Sequence, residues 1–129
     1  MTVFYDFVDA GGQNVIHDWL DAAPAAVKAK IQKRLHYLEA TPQVDWGGAR
    51  YVSDLAGDAW GGVLEIRIRA GNVQYRPLFC YGPGREQATL LCMAEERGGV
   101  IEPRSAARVS QERRRLIQEE QHVCRHDFS

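Results

Sequence analysis

Four arginines carry the chemistry this chain offers. Arg67 and Arg69 lie two apart in L-E-I-R-I-R, Arg76 follows in Y-R-P-L, and Arg97 ends A-E-E-R. Side chains two apart on a strand share a face. The turn Ala70-Gly71-Asn72 folds Arg76 back beside Arg67, which then lies opposite Tyr75 or Arg76 according to loop length. Like charges paired across strands cost a few tenths to about 1 kcal/mol, so something must offset them. One candidate is carboxylate: Glu65 is two residues from Arg67 on the same face, with Glu86 and Glu96 nearby. The other is an external anion. Phosphate is the natural one, because guanidinium presents a planar fork to its oxygens.

Other constellations carry less. His122-Val123-Cys124-Arg125-His126 has metal-ligand residue types, but zinc needs about four ligands in fixed geometry, and a frayed tail over about 122–129 supplies no fixed partner. No metal is assigned. Cys80, Cys92 and Cys124 are odd in number, and the first two fall in predicted strands. Buried free thiols in a reducing compartment are expected, without the flanking base or helix start that activates cysteine. Arg113-Arg114-Arg115 has Glu112, Glu119 and Glu120 at helical spacing, which reads as a solvated face. His17 and His36 fall on predicted helices as surface or boundary residues. Gly82-Pro83-Gly84 is a turn with no helix after it to cradle a phosphate.

The elements that must position the arginines follow from punctuation and period. Val3–Val8 is a short strand, expected at an edge of the sheet. A helix from Asn14 puts Val15, Ile16, Trp19 and Leu20 on one face and stops near Ala23. Pro24 suits the first turn of a second helix, whose Val27, Ile31, Leu35 and Leu38 form an apolar stripe. Lys28, Lys30, Lys33 and Arg34 occupy its other faces, and Thr41-Pro42 closes it. Asp45–Asp54 is ambiguous, with a loop at Trp46-Gly47-Gly48 and a short extended piece at Tyr51-Val52. Val63–Ile68, Val73–Tyr81 and Ala88–Ala94 read as three strands of an antiparallel meander. A weakly amphipathic helix over Arg104–Gln121 follows Pro103. The fold class is α+β, with the N-terminal strand and two helices packed on a small antiparallel meander and a C-terminal helix after it.

The 129 residues suit one domain, residues 1–129. The 45% hydrophobic and 26% charged fractions are ordinary for a globular chain. A formal net charge of −1 means that any nucleic-acid site is a local basic patch. No apolar run is long enough to cross a membrane and no signal-peptide pattern opens the chain, so a cytoplasmic location with no membrane partner is expected.

The run L-x-G-x-x-x-G-x-L-E-I-R-I, then Y-R-P-L, then L-L-C-M-A-E-E-R-G-G and a proline before a final helix, resembles the RelE/ParE toxin superfamily. It is most similar to the HigB-like, phage-derived branch. V-F-Y-D-F and N-V-I-H-D-W-L resemble that branch's first strand and helix, so the resemblance runs from Val3 to about Leu116. It implies a RelE-like fold and the toxin of a type II toxin–antitoxin system. Such a toxin cleaves mRNA in the ribosomal A site by attack of the ribose 2′-OH on the adjacent phosphate, without cofactor or metal. The implied partners are a cognate antitoxin of helix-turn-helix type, mRNA and the ribosome. Carried over by position, Arg76 is the phosphate-stabilising arginine, Arg67 lines the RNA cleft, and Arg97 is a leaving-group acid or clamp. The chain's own general-base candidates are Glu96 or a histidine brought in from the tail, and Arg69, Arg104 and Lys33 are RNA-binding candidates. Relatives often carry a lysine pair where this chain has Glu96-Arg97, and a tyrosine or histidine where it has Arg104-Ser105. The rival reading is a phage or prophage protein with a RelE-like fold that binds a protein without catalysis.

Overall fold

The computed structural model describes residues 1–47 and 51–129. In chain order the elements are β1 (Val3–Phe7), α1 (Val15–Ala22), α2 (Ala25–Glu39), β2 (Val52–Asp54), β3 (Leu64–Ile66), β4 (Ile68–Ala70), β5 (Val73–Tyr81), β6 (Gln87–Arg97), β7 (Val100–Glu102), α3 (Ala106–Leu116) and β8 (Val123–Arg125). Asn14 caps α1, its side-chain oxygen accepting from the His17 N–H. Pro24 stands just before α2, where its fixed φ is harmless and no N–H is needed. Val27, Ile31, Leu35 and Leu38 are buried, as their spacing demands. Gly48, which belongs to the loop expected after Trp46, lies outside the described residues.

The α+β class holds, but the sheet is larger than a small antiparallel meander. Among the described residues it has eight strands in the order β2-β3-β5-β6-β1-β8, with β4 beside β5 and β7 beside β6. β1 runs parallel to β6. β1 is therefore interior, not an edge, because the C-terminal tail supplies its second neighbour: Tyr5, Asp6 and Phe7 pair with Arg125, Cys124 and Val123. Nor is that tail frayed. His122 and His126 are both buried, the first stacked on Phe7 with ring centroids 5.9 Å apart. The His126 ring bridges Asp6 on β1 and Gln32 on α2, at 2.6 and 2.7 Å. Polar anchors hold the tail together with only two apolar residues, Val123 and Phe128, packed on the core layers, so hydrophobic periodicity does not reveal it.

Each sheet face has its own apolar layer. Phe4, Ile16, Leu20, Ile31, Leu35, Ile66, Ile68 and Phe79 pack under α1 and α2. Leu78, Cys80, Leu91, Ala94, Ala106 and Ile117 pack under α3. Covering on both faces explains why β5 and β6 are buried over most of their length. Trp46 anchors the first layer. It is fully buried, stacks on Phe4 at 5.4 Å, and donates its Nε1–H to the carbonyls of Leu38 and Thr41, both at 2.9 Å. Trp46→Ala is expected to cost about 3–5 kcal/mol, read as a lower denaturant midpoint at unchanged slope. Among the described residues no helix is long and apolar enough to cross a membrane.

Candidate functional site

The hairpin that carries the arginines turns in two residues, Gly71-Asn72, since Ala70 pairs with Val73. Gly71 has φ +63°, a conformation that glycine adopts without cost. Ile68 pairs with Tyr75 and Glu65 with Leu78, so one register holds throughout and sets Arg67 across from Arg76. Of the two pairings open in the sequence, this is the one that brings like charges together. Alternation puts Ile66 and Ile68 under the helices, and Glu65, Arg67, Arg69, Gln74 and Arg76 on the other face.

Glu65 is the internal offset. Its carboxylate lies 3.5 Å from Arg67 Nε and 3.4 Å from Arg76 Nε, and it accepts the Ser53 hydroxyl at 3.1 Å. Glu96 adds a second carboxylate, 3.7 Å from Arg76 Nη2. Arg76 also donates to the Tyr75 carbonyl at 3.0 Å and to Gln74 Oε1 at 3.2 Å. Its side chain is only 7% exposed and that of Glu65 5%. Even so, Arg76 Nε and Glu65 Oε2 are buried and neither has a hydrogen-bond partner. An unsatisfied buried donor costs about 1–3 kcal/mol, and an anion reaching Arg76 would relieve it. Glu86 is spent elsewhere, on the N-terminal amine at 3.1 Å.

A helix supplies the other wall. Arg34 on α2 donates to the Arg67 carbonyl at 2.8 Å and holds its guanidinium 4.5 Å from the centre of the Tyr51 ring. Arg34, Tyr51, Arg67, Arg69, Gln74 and Arg76 line a cavity of about 520 Å³. A second cavity of about 250 Å³ is lined by Lys30, Lys33, Arg34, Tyr37 and Tyr51. Arg34 and Tyr51 belong to both, so the two form one groove with six cationic side chains.

A model of a family described as phage-derived, Gp49-like proteins (DUF891) matches residues 18–97, more than half of the chain. The chain belongs to this Gp49-like family. The family is RelE/toxin-like, and its match spans α1 to β6, so it contains the whole groove. No match was found among curated proteins or among solved structures.

In this Gp49-like protein the other expected site residues are divided. Glu96, Arg69 and Lys33 stand at or in the groove. Arg104 is exposed just before α3 and lines neither cavity. Arg97 ends β6 on the opposite face, in a cavity of about 420 Å³ with Trp19, Met93, Glu95, Glu102 and Pro103. Glu95 takes two of its N–H groups, at 3.0 and 2.7 Å, and this hydrogen bonding raises the guanidinium pKa further above its already high range. Arg97 is thus a poor proton donor. Lys30, Arg34, Tyr37 and Tyr51 were not singled out as site residues from the sequence. The signal for three of them is Lys30, Arg34 and Tyr37 flanking Lys33 at i, i+3, i+4 and i+7, a cationic stripe beside the apolar one.

The remaining reactive side chains are structural. Burial pushes the Cys80 thiol up to about 11, against a smaller pull from Arg114, and also raises Cys92. Folded protein at pH 8 should leave both unreacted with a thiol reagent, and unfolding should release them. Arg113 turns inward, bonded to the Leu91 carbonyl at 2.8 Å and 5.0 Å from the centre of the Phe7 ring, so the arginine run is not wholly a solvated face. Arg115 pairs with Glu112 at 2.6 Å. Among the described residues no group of three His, Cys, Asp or Glu side chains could hold a metal ion.

Proposed function

We propose that this Gp49-like protein is the toxin of a type II toxin–antitoxin pair and acts as an endoribonuclease on translated mRNA. The observation that carries the reading is the groove, six cations and two tyrosines on a chain of net charge −1. Concentrating the positive charge of a slightly acidic protein in one cleft focuses its field on a polyanion. Phosphates enter along Lys30, Lys33 and Arg34 and reach Arg67 and Arg76. There the ribose 2′-OH attacks the adjacent phosphorus and gives its proton to Glu96, while Arg67 and Arg76 stabilise the pentavalent phosphate. The P–O5′ bond breaks and the 5′-oxygen takes a proton from solvent. The products are a 2′,3′-cyclic phosphate and a 5′-hydroxyl. The positive charge in this scheme comes from arginine side chains, so it calls on no cofactor. Arg97 has no part in it. Partners on this reading are a helix-turn-helix antitoxin, mRNA and the ribosome.

A second reading, protein binding without catalysis, is favoured by one observation: Arg76 already has Glu65 and Glu96 within 3.7 Å. Inducing the chain in cells and mapping mRNA 5′ ends separates the two. Codon-phased cuts are the expected result. Intact messages with continuing translation would support the binder.

A further inference from the structure

We infer that Tyr37 and Tyr51 form a stacking notch for an unpaired nucleobase, which makes single-stranded RNA the groove's ligand; this rests on the RNA reading above. Tyr37 is 48% exposed, whereas the rings of Phe4, Phe79 and Trp46 are fully buried. Its ring packs against that of Tyr51, centroids 5.4 Å apart and planes tilted by 58°, an aromatic contact that braces the exposed ring at the wall of the cavity both line. The Arg34 guanidinium over Tyr51 fixes that ring from one side. Lys30, Lys33 and Arg34 complete a lining that, among the described residues, holds three cations and no carboxylate. Aromatic faces beside a cationic track are what single-strand binders use: bases stack and phosphates follow the charge. Arginine adds a cation–π contribution.

The geometry also selects against a duplex. Bases inside an A-form helix are stacked on one another and present only their edges, whereas an unpaired base can splay onto a protruding ring. Tyr51 lines both cavities, so a base in the notch belongs to a nucleotide near the one whose phosphate meets Arg67 and Arg76. A segment of a partner protein is the rival occupant. The all-cationic rim favours a polyanion over it.

The test uses the full chain and short 2′-O-methyl oligoribonucleotides, which lack the attacking hydroxyl and stay intact. Binding is measured for a single strand and for the same strand in a duplex. The single strand should bind at least about tenfold more tightly, Tyr37→Ala should lose about tenfold, and Tyr37→Phe should restore the affinity. Equal binding of single strand and duplex, or a Tyr37→Ala variant that binds as the wild type does, overturns the notch alone. Failure of the wild type to bind either form overturns the RNA reading and the notch with it.

Discussion

Replacing Arg76 with lysine is expected to lower RNA cleavage by about a hundred- to a thousandfold while the protein stays folded. That is the usual effect of removing one aligned charge-stabilising donor. Lysine keeps a positive charge near Glu65 and Glu96, but it has no planar fork to span two phosphate oxygens. Arg76→Ala is the less informative change, because Arg76 is buried against a buried Glu65. Removing one partner of such a pair strands the other charge and costs about 3–5 kcal/mol. Lost activity in Arg76→Ala could then reflect lost fold. Arg76→Ala combined with Glu65→Gln removes that ambiguity, since a neutral amide replaces the stranded carboxylate. Both variants should be checked by circular dichroism before cleavage is read. Full cleavage by either would take Arg76 out of the chemistry.

His126→Ala is expected to destabilise the protein by about 3–5 kcal/mol, about as much as stranding Glu65 does. Asp6 and His126 are both fully buried, and their polar atoms are tied to each other and to three elements. Gln32 donates its Nε2–H to the Asp127 carbonyl at 3.0 Å, which turns its Oε1 toward His126 Nε2. Both ring nitrogens therefore face oxygens, with Asp6 Oδ1 at the other. Asn14 donates to Asp6 Oδ2 at 2.9 Å, which ties in the cap of α1. Alanine at 126 leaves Asp6 and Gln32 buried without their partner and loosens β8 from β1. The measurement is chemical denaturation of both proteins, with hydrogen exchange on the β1 amides as a local readout. Unchanged stability and unchanged protection at β1 would show that the network does not hold the tail.

Local pattern accounts for what the sequence made legible. The α2 stripe, the Asn14 cap, the turn before Val73 and the placement of Arg67, Arg69 and Arg76 on the face away from α1 and α2 follow from period and turn chemistry. Features set by distant partners were not legible. The parallel pairing of β1 with β6 joins the N-terminus to residues more than eighty positions away. β8 has three residues and is held by His122 and His126, which read alone as tail polar groups. The pairing of β3 with β2 is another such feature, carried on by the Arg67 N–H to the Tyr51 carbonyl at 2.8 Å. Burial of Glu65 was hidden for a related reason. In sequence its face shows two arginines, yet its neighbour Leu78 packs in the second apolar layer under α3, a helix with few apolar residues. The candidate site was half legible: the hairpin gave Arg67, Arg69 and Arg76, β6 gave Glu96 and α2 gave Lys33, whereas Lys30, Arg34 and Tyr37 resembled an ordinary helix face.

The chemistry of the cut ends tests the central claim most directly. Purified protein is added to translating ribosomes, and the termini of the RNA fragments are identified. The account predicts 2′,3′-cyclic phosphate or 3′-phosphate ends upstream and 5′-hydroxyl ends downstream, greatly reduced with Arg76→Lys. Intact RNA, or fragments with 5′-phosphate and 3′-hydroxyl ends, would contradict it.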